Sequence, residues 1–240
     1  MKKRSLLIAA NWKMNSAPNS LKTYESRKNV EAVVFPTFLD LSTCLKAKIV
    51  TGGQFGRPED SGAFTGDISI KMLKDLGCTY VLCGHSDRRQ FHHESNEEVA
   101  AQARAALAHG LHPIICIGER EVERDTGRGK EVVEDQLKPI LSLMCEGGVT
   151  LAYEPVWAIS RGDPNRPAAT PEDAENMHAF IRSLLPASCR ETIRILYGGS
   201  VKPENALTIL SQSEVDGGLV GGASLDPASF AAILDAAEKV

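Results

Sequence analysis

Among the chain's six cysteines there is no C-x-x-C pair and no zinc-finger spacing. That argues against a zinc site and against a disulfide framework, and the cysteines read as reduced thiols of a cytoplasmic enzyme. No apolar stretch approaches the length of a membrane span. The apolar residues 5–10, behind Met1-Lys2-Lys3-Arg4, are too few for a secretion signal. Strong charge of either sign is missing too. A net charge of −4 gives no footing for nucleic acid or other polyanions. There is no linker and no low-complexity segment, so residues 1–240 read as a single domain. Hydrophobic residues at 42% and charged residues at 24% are ordinary globular values, enough for one sizeable core.

What is present is a repeat of short apolar runs, each ending in a polar residue, Gly or Pro. Eight occur, at residues 6–11, 32–34, 49–52, 80–83, 113–117, 150–153, 193–197 and 218–220. Runs that are apolar at successive positions suit strands buried on both faces, as in parallel sheets. Helical patterns lie between them. Ser95 and Glu98 form a capping box, and Gly110 can end that helix. Thr170-Pro171 and Asp226-Pro227 open two more, and Asp67 is placed to cap a helix bearing Met72, Leu73 and Leu76. Strand–helix alternation repeated eight times predicts the α/β class and a closed (β/α)8 barrel. Residues 54–67 break the pattern: a long, polar, aperiodic stretch of this kind is functional or packed on a partner.

Several residues at strand ends carry candidate chemistry. Glu154 closes the run before Pro155, which cannot donate to a ladder, so a carboxylate stands at a strand's carboxyl end. The Gly- and Pro-rich segment up to Thr170 reads as a movable cover, a layout suited to proton transfer shielded from water. A rim carboxylate paired with a nearby cation is an equally open reading of that segment alone. Lys13, two residues past Asn11, supplies positive charge for an anionic substrate, or is a solvated surface lysine; Trp12 favours the anchored reading. His85 precedes a short helical turn, and a helix N-terminus behind the ring favours neutral imidazole. A structural histidine is the competing reading, and the adjacent His92 and His93 lack metal-ligand spacing. Gly198-Gly199-Ser200 follows the seventh run and Gly221-Gly222 the eighth. Barrels bind phosphate at those two loops, where glycines let amides approach an anion and Ser200 adds a hydroxyl.

Taken together, the motifs resemble the triosephosphate isomerase family. They are residues 11–15, 61–66, His85 with Arg88-Arg89, Cys116-Ile117-Gly118-Glu119, the octet 152–159, Tyr197-Gly198-Gly199-Ser200-Val201 and 219–223, in order along nearly the whole chain. The resemblance implies a TIM barrel interconverting dihydroxyacetone phosphate and D-glyceraldehyde 3-phosphate through an enediolate. It implies Glu154 as the base, His85 as the neutral electrophile, Lys13 as the stabilising cation and Asn11 as a positioning group. Ser200, Gly221, Gly222 and a lid amide at Gly162 would hold the phosphate, with Asp87, Cys116 and Tyr197 behind them. No metal or organic cofactor is implied, since side chains carry the proton relay. The 54–67 loop would dock into a second subunit, with Thr65 near the partner's site, giving a homodimer.

The chain departs from the family in four places. Residues 160–169 make a lid about four residues longer than the common pattern, with Pro164, Pro167, Arg161 and Arg166 in it. Asp87 stands where the family has glutamate, so contact with Lys13 is expected to be rearranged or bridged by water. Phe55 replaces an asparagine. The segment between Asn15 and Ala32 is short, which predicts a reduced first helix. The long lid keeps a four-carbon ketose phosphate isomerase open as an alternative. A non-catalytic phosphate-binding barrel and a Schiff-base aldolase using Lys13 are rivals from other classes.

Overall fold

The structure is a computed structural model, which describes residues 4–159 and 168–240. Its eight strands are β1 (Leu6–Asn11), β2 (Val30–Phe35), β3 (Gly52–Gly53), β4 (Tyr80–Cys83), β5 (His112–Ile117), β6 (Thr150–Tyr153), β7 (Arg194–Tyr197) and β8 (Gly217–Val220). They form one sheet in the order β2-β1-β8-β7-β6-β5-β4-β3, with every pairing parallel. A parallel bridge between Val34 and Thr51 joins β2 to β3 and closes the ring. This is the eight-stranded barrel that the alternation of runs predicts. The runs match the strands closely except at β3, which is only two residues long.

Alternation along each strand sorts side chains into two cores. Leu7, Ala9, Val33, Phe35, Leu82, Cys116, Ala152, Leu196 and Leu219 fill the barrel interior. Leu6, Ile8, Ala10, Val81, Ile115, Leu151 and Ile195 face outward against the helices. The same period carries Asn11, two residues past Ala9, and Glu154, two past Ala152, to the mouth.

Three caps form as read. The Ser95–Glu98 box starts the helix Asn96–Ala108, and Gly110 follows it with φ 68°. Thr170 and Asp173 cap each other before Pro171–Leu184, and Asp226 accepts from the Ser229 amide at 2.9 Å before Pro227–Ala237. The assignment of Asp67 is corrected. Ser69 caps the helix Ile70–Leu76 by accepting from the Met72 amide. Asp67 lies three residues before the first helical position, too early to reach the free amides, and binds Arg57 at 3.2 Å instead. The first helix is reduced as expected, to a 3-10 turn at Leu21–Tyr24.

The expectation of uniformly reduced thiols is overturned. Cys145 and Cys189 form a disulfide that spans 44 residues, with Cα atoms 5.4 Å apart. Cys44, Cys78, Cys83 and Cys116 are free and buried. No local spacing announces the bridge, because the two cysteines meet only when the segments before β6 and β7 pack side by side.

Candidate active site

The carboxyl ends of β1, β4, β6, β7 and β8 bring the sequence-derived residues to one mouth. Lys13 has a left-handed backbone, φ 50°, which is rare for a residue with a side chain. Two contacts hold it there. Its amide donates to Asn11 Oδ1 at 3.0 Å, and Gln54 Nε2 donates to its carbonyl at 2.7 Å. Asn11 is buried, and accepting that bond with Oδ1 leaves its NH2 as the donor side. Lys13 Nζ reaches Asp87 Oδ2 directly at 2.9 Å. The expected rearrangement or water bridge is therefore corrected: Asp87 opens the turn Ser86–Phe91, close enough that aspartate suffices.

His85 and Glu154 are both buried, and His85 Nε2 lies 3.0 Å from Glu154 Oε1. The Asp87 amide donates to His85 Nδ1 at 3.1 Å. That makes Nδ1 an acceptor and leaves the ring proton on Nε2, facing the mouth. Glu154 accepts from the Ser86 amide at 2.8 Å and from Ser86 Oγ at 3.1 Å.

The supporting layer is closely built. A Cβ on Gly118 would lie 1.8 Å from the Glu154 carbonyl oxygen, and one on Gly198 would lie 2.8 Å from Glu154 Cγ. Only glycine lets β5 and β7 approach the base from both sides. Gln136 clamps Gly118 through its amide and carbonyl at 2.7 and 3.1 Å. Glu119 accepts from Tyr153 Oη at 3.0 Å and from Trp157 Nε1 at 2.7 Å, pinning both ends of the segment that carries Glu154. Burial raises the Glu119 carboxyl above its usual value, opposed first by the Trp157 hydrogen bond. Cys116 lies in the barrel interior, its thiol pushed well up by burial and then by Glu154. Tyr197 is buried beneath Gly199, whose Cβ would meet its hydroxyl at 2.2 Å.

A cleft of about 870 Å³ opens over the β4–β6 side, lined by Ser86, Arg89, Cys116, Gly118, Glu154 and Val156 among others. Lys13 and the glycine turns stand outside it. Gly221 borders Lys13, whose Cε is 3.6 Å from the place of a Gly221 Cβ, and Gly222 is exposed. Ser200 is half-buried at the end of β7. Gly162 and the residues that lengthen the lid, with Arg161, Pro164, Arg166 and Pro167, lie outside the described residues.

Thr65 is exposed on a loop stapled by Arg57, which pairs with Glu59 and Asp67 and covers the Phe64 ring at 3.8 Å. Phe55, in place of asparagine, stacks under Arg88 at 3.8 Å. The sequence reading missed Ser86, Gln54, Gln136 and the clamp by Glu119. Glu119 lies inside a motif already singled out and Ser86 directly follows His85, and that proximity is the available signal.

Comparison with known proteins identifies the family. The family described as Triosephosphate isomerase matches residues 6–237. A protein of Aquifex aeolicus named triosephosphate isomerase is 44% identical over 246 residues, 95% of this chain and 98% of its own length. Namesakes from Coxiella burnetii and Natranaerobius thermophilus are each 42% identical, the first over 95% of both chains, the second over 97% of this chain and 96% of its own.

Proposed function

The chain belongs to the triosephosphate isomerase family and is an isomerase of dihydroxyacetone phosphate and D-glyceraldehyde 3-phosphate, a step of glycolysis and gluconeogenesis; from that premise we propose how its residues divide the work. Glu154 is the base. It takes a proton from the carbon beside the substrate carbonyl and returns it to the neighbouring carbon through an enediolate. To do so the carboxylate exchanges its Ser86 donors for the substrate C–H. His85, with its proton on Nε2, donates to the substrate oxygens as charge develops on them. Lys13 places an ammonium beside that charge, and Asn11 positions one oxygen with its NH2 group.

The phosphate is assigned to Ser200, Gly221, Gly222 and an amide of the lid at Gly162. Asp87, Cys116 and Tyr197 act from behind: Asp87 orients Lys13, while Cys116 and Tyr197 support the base and the seventh-strand turn. The observation that carries this reading is the meeting of His85 Nε2 and Glu154 Oε1 at 3.0 Å, with the Nδ1 side closed by a backbone donor.

We further propose one domain over residues 1–240, a cytoplasmic location, and a homodimer formed through residues 54–67. Supporting the dimer, Met14 is 93% exposed and Leu39 92%, and Phe64 and Thr65 stand outward on the stapled loop. Exposed apolar side chains of this size suit a subunit contact.

The test is a coupled assay on D-glyceraldehyde 3-phosphate with wild type and Glu154→Ala. Loss of a general base lowers the rate by about 10²–10⁴. Turnover like that of the wild type would overturn the assignment of the base.

A further inference from the structure

Tyr24 closes the 3-10 turn that stands in place of a first helix. It is fully buried. Its ring stacks on Phe230 at 4.7 Å and meets Trp12 edge-on at 5.2 Å. Packing alone would be served by phenylalanine. The hydroxyl does something more, donating to the carbonyl oxygen of Ser224 at 2.7 Å across 200 residues of sequence.

Ser224 in turn closes the tight turn after β8. Its amide and its Oγ both donate to the Gly221 carbonyl, at 2.8 and 2.7 Å. Ser224 is itself fully buried, so the Gly221 carbonyl is drawn towards the core. A trans peptide is planar, with its N–H opposite its C=O. With that carbonyl drawn inward, the N–H of Gly222, first residue of the 3-10 turn Gly222–Leu225, faces the opposite way; Lys13 Cε lies 3.6 Å from the place of a Gly221 Cβ. Tyr24 thus touches both anion-facing elements: the β8 turn through Ser224, and the Lys13 turn through Trp12. Burial raises the phenol far above its ordinary range, so the hydroxyl stays a donor at any working pH.

We propose that Tyr24 is a positioning residue for the substrate phosphate: through Ser224, its hydroxyl holds the Gly221–Gly222 peptide with its N–H towards the mouth. The inference rests on the reading of Gly221 and Gly222 as phosphate donors.

The test compares wild type, Tyr24→Phe and Gly222→Val. The readouts are kcat and KM for D-glyceraldehyde 3-phosphate, the inhibition constant of inorganic phosphate, and the melting temperature. Tyr24→Phe keeps both ring contacts. A Cβ at Gly222 meets nothing within 4 Å among the described residues, so the fold accommodates a side chain there, next to the amide in question. Tyr24→Phe is expected to raise KM and the phosphate constant together by about three- to tenfold, with kcat within about twofold. If Gly222→Val raises both constants and Tyr24→Phe leaves them unchanged, the role of Tyr24 is refuted while the phosphate reading stands. If neither variant moves them, the phosphate reading of this turn falls, and the inference with it. A lower melting temperature for Tyr24→Phe with unchanged constants marks a purely structural residue and also overturns the proposal.

Discussion

Replacing Cys145 with serine opens the one covalent cross-link among the described residues, and its consequence follows from the length of chain it closes. The bridge spans 44 residues. That loop contains Glu154, the lid segment and the helix Pro171–Leu184. Constraining a loop of this length removes about 4 kcal/mol of chain entropy from the unfolded state. For a chain of this size each kcal/mol corresponds to about 2–4 °C, so the variant is expected to melt about 8–16 °C below the oxidised wild type. Cys145 is exposed, so serine costs little packing and the difference reports the cross-link. The assay is scanning calorimetry of both proteins with and without dithiothreitol, after non-reducing peptide mapping of the wild type. Reductant should bring the wild type down to the variant and leave the variant unmoved. Melting temperatures within about 2 °C of each other without reductant would refute the loop argument. So would a variant that itself responds to reductant.

Three further outcomes are expected. His178 is fully buried, and its pKa is lowered from 6.5 to about 3, chiefly by desolvation. Its Nδ1 lies 3.2 Å from the Glu214 carbonyl, and its Nε2 has no partner among the described residues. A depressed folded pKa means stability that is present above the unfolded pKa and lost as pH falls towards the folded one. Between pH 7 and pH 5 this amounts to about 2 kcal/mol. Urea midpoints across that range should show the loss in wild type and a flatter slope in His178→Leu, and equal slopes would contradict it. Asp87→Ala removes the carboxylate 2.9 Å from Lys13 Nζ, and kcat/KM should fall about tenfold; an unchanged value would show that Lys13 needs no partner. Met14→Glu puts a charge on a 93% exposed apolar side chain at the proposed interface. Analytical ultracentrifugation should then find the 25.9 kDa chain where wild type sediments at twice that mass. A wild type that is monomeric and fully active would end the dimer reading.

Short-range physics explains what could be read from the chain. The alternation in residues 6–11 sends Leu7, Ala9 and Asn11 to one side of β1 without reference to anything distant. Pro155 ends β6 and leaves Glu154 at its carboxyl end. Caps such as Ser95 with Glu98, or Thr170 with Asp173, act over three residues and are legible for that reason. At Asp67 the same logic fails, since Ser69 has equal capping chemistry and only the true start of the helix chooses between them.

Periodicity, caps and motifs are local, so the barrel, its eight strands, the family and the placement of Asn11, Lys13, His85 and Glu154 at strand ends are legible in the chain. Tertiary structure alone decided the contacts between residues far apart in the chain. Ser86 meets Glu154 across 68 residues and Lys13 meets Asp87 across 74. Cys145 finds Cys189 across 44, and Tyr24 reaches Ser224 across 200. Each depends on closing the ring of strands, which fixes distances of a few ångströms between segments that share no local pattern.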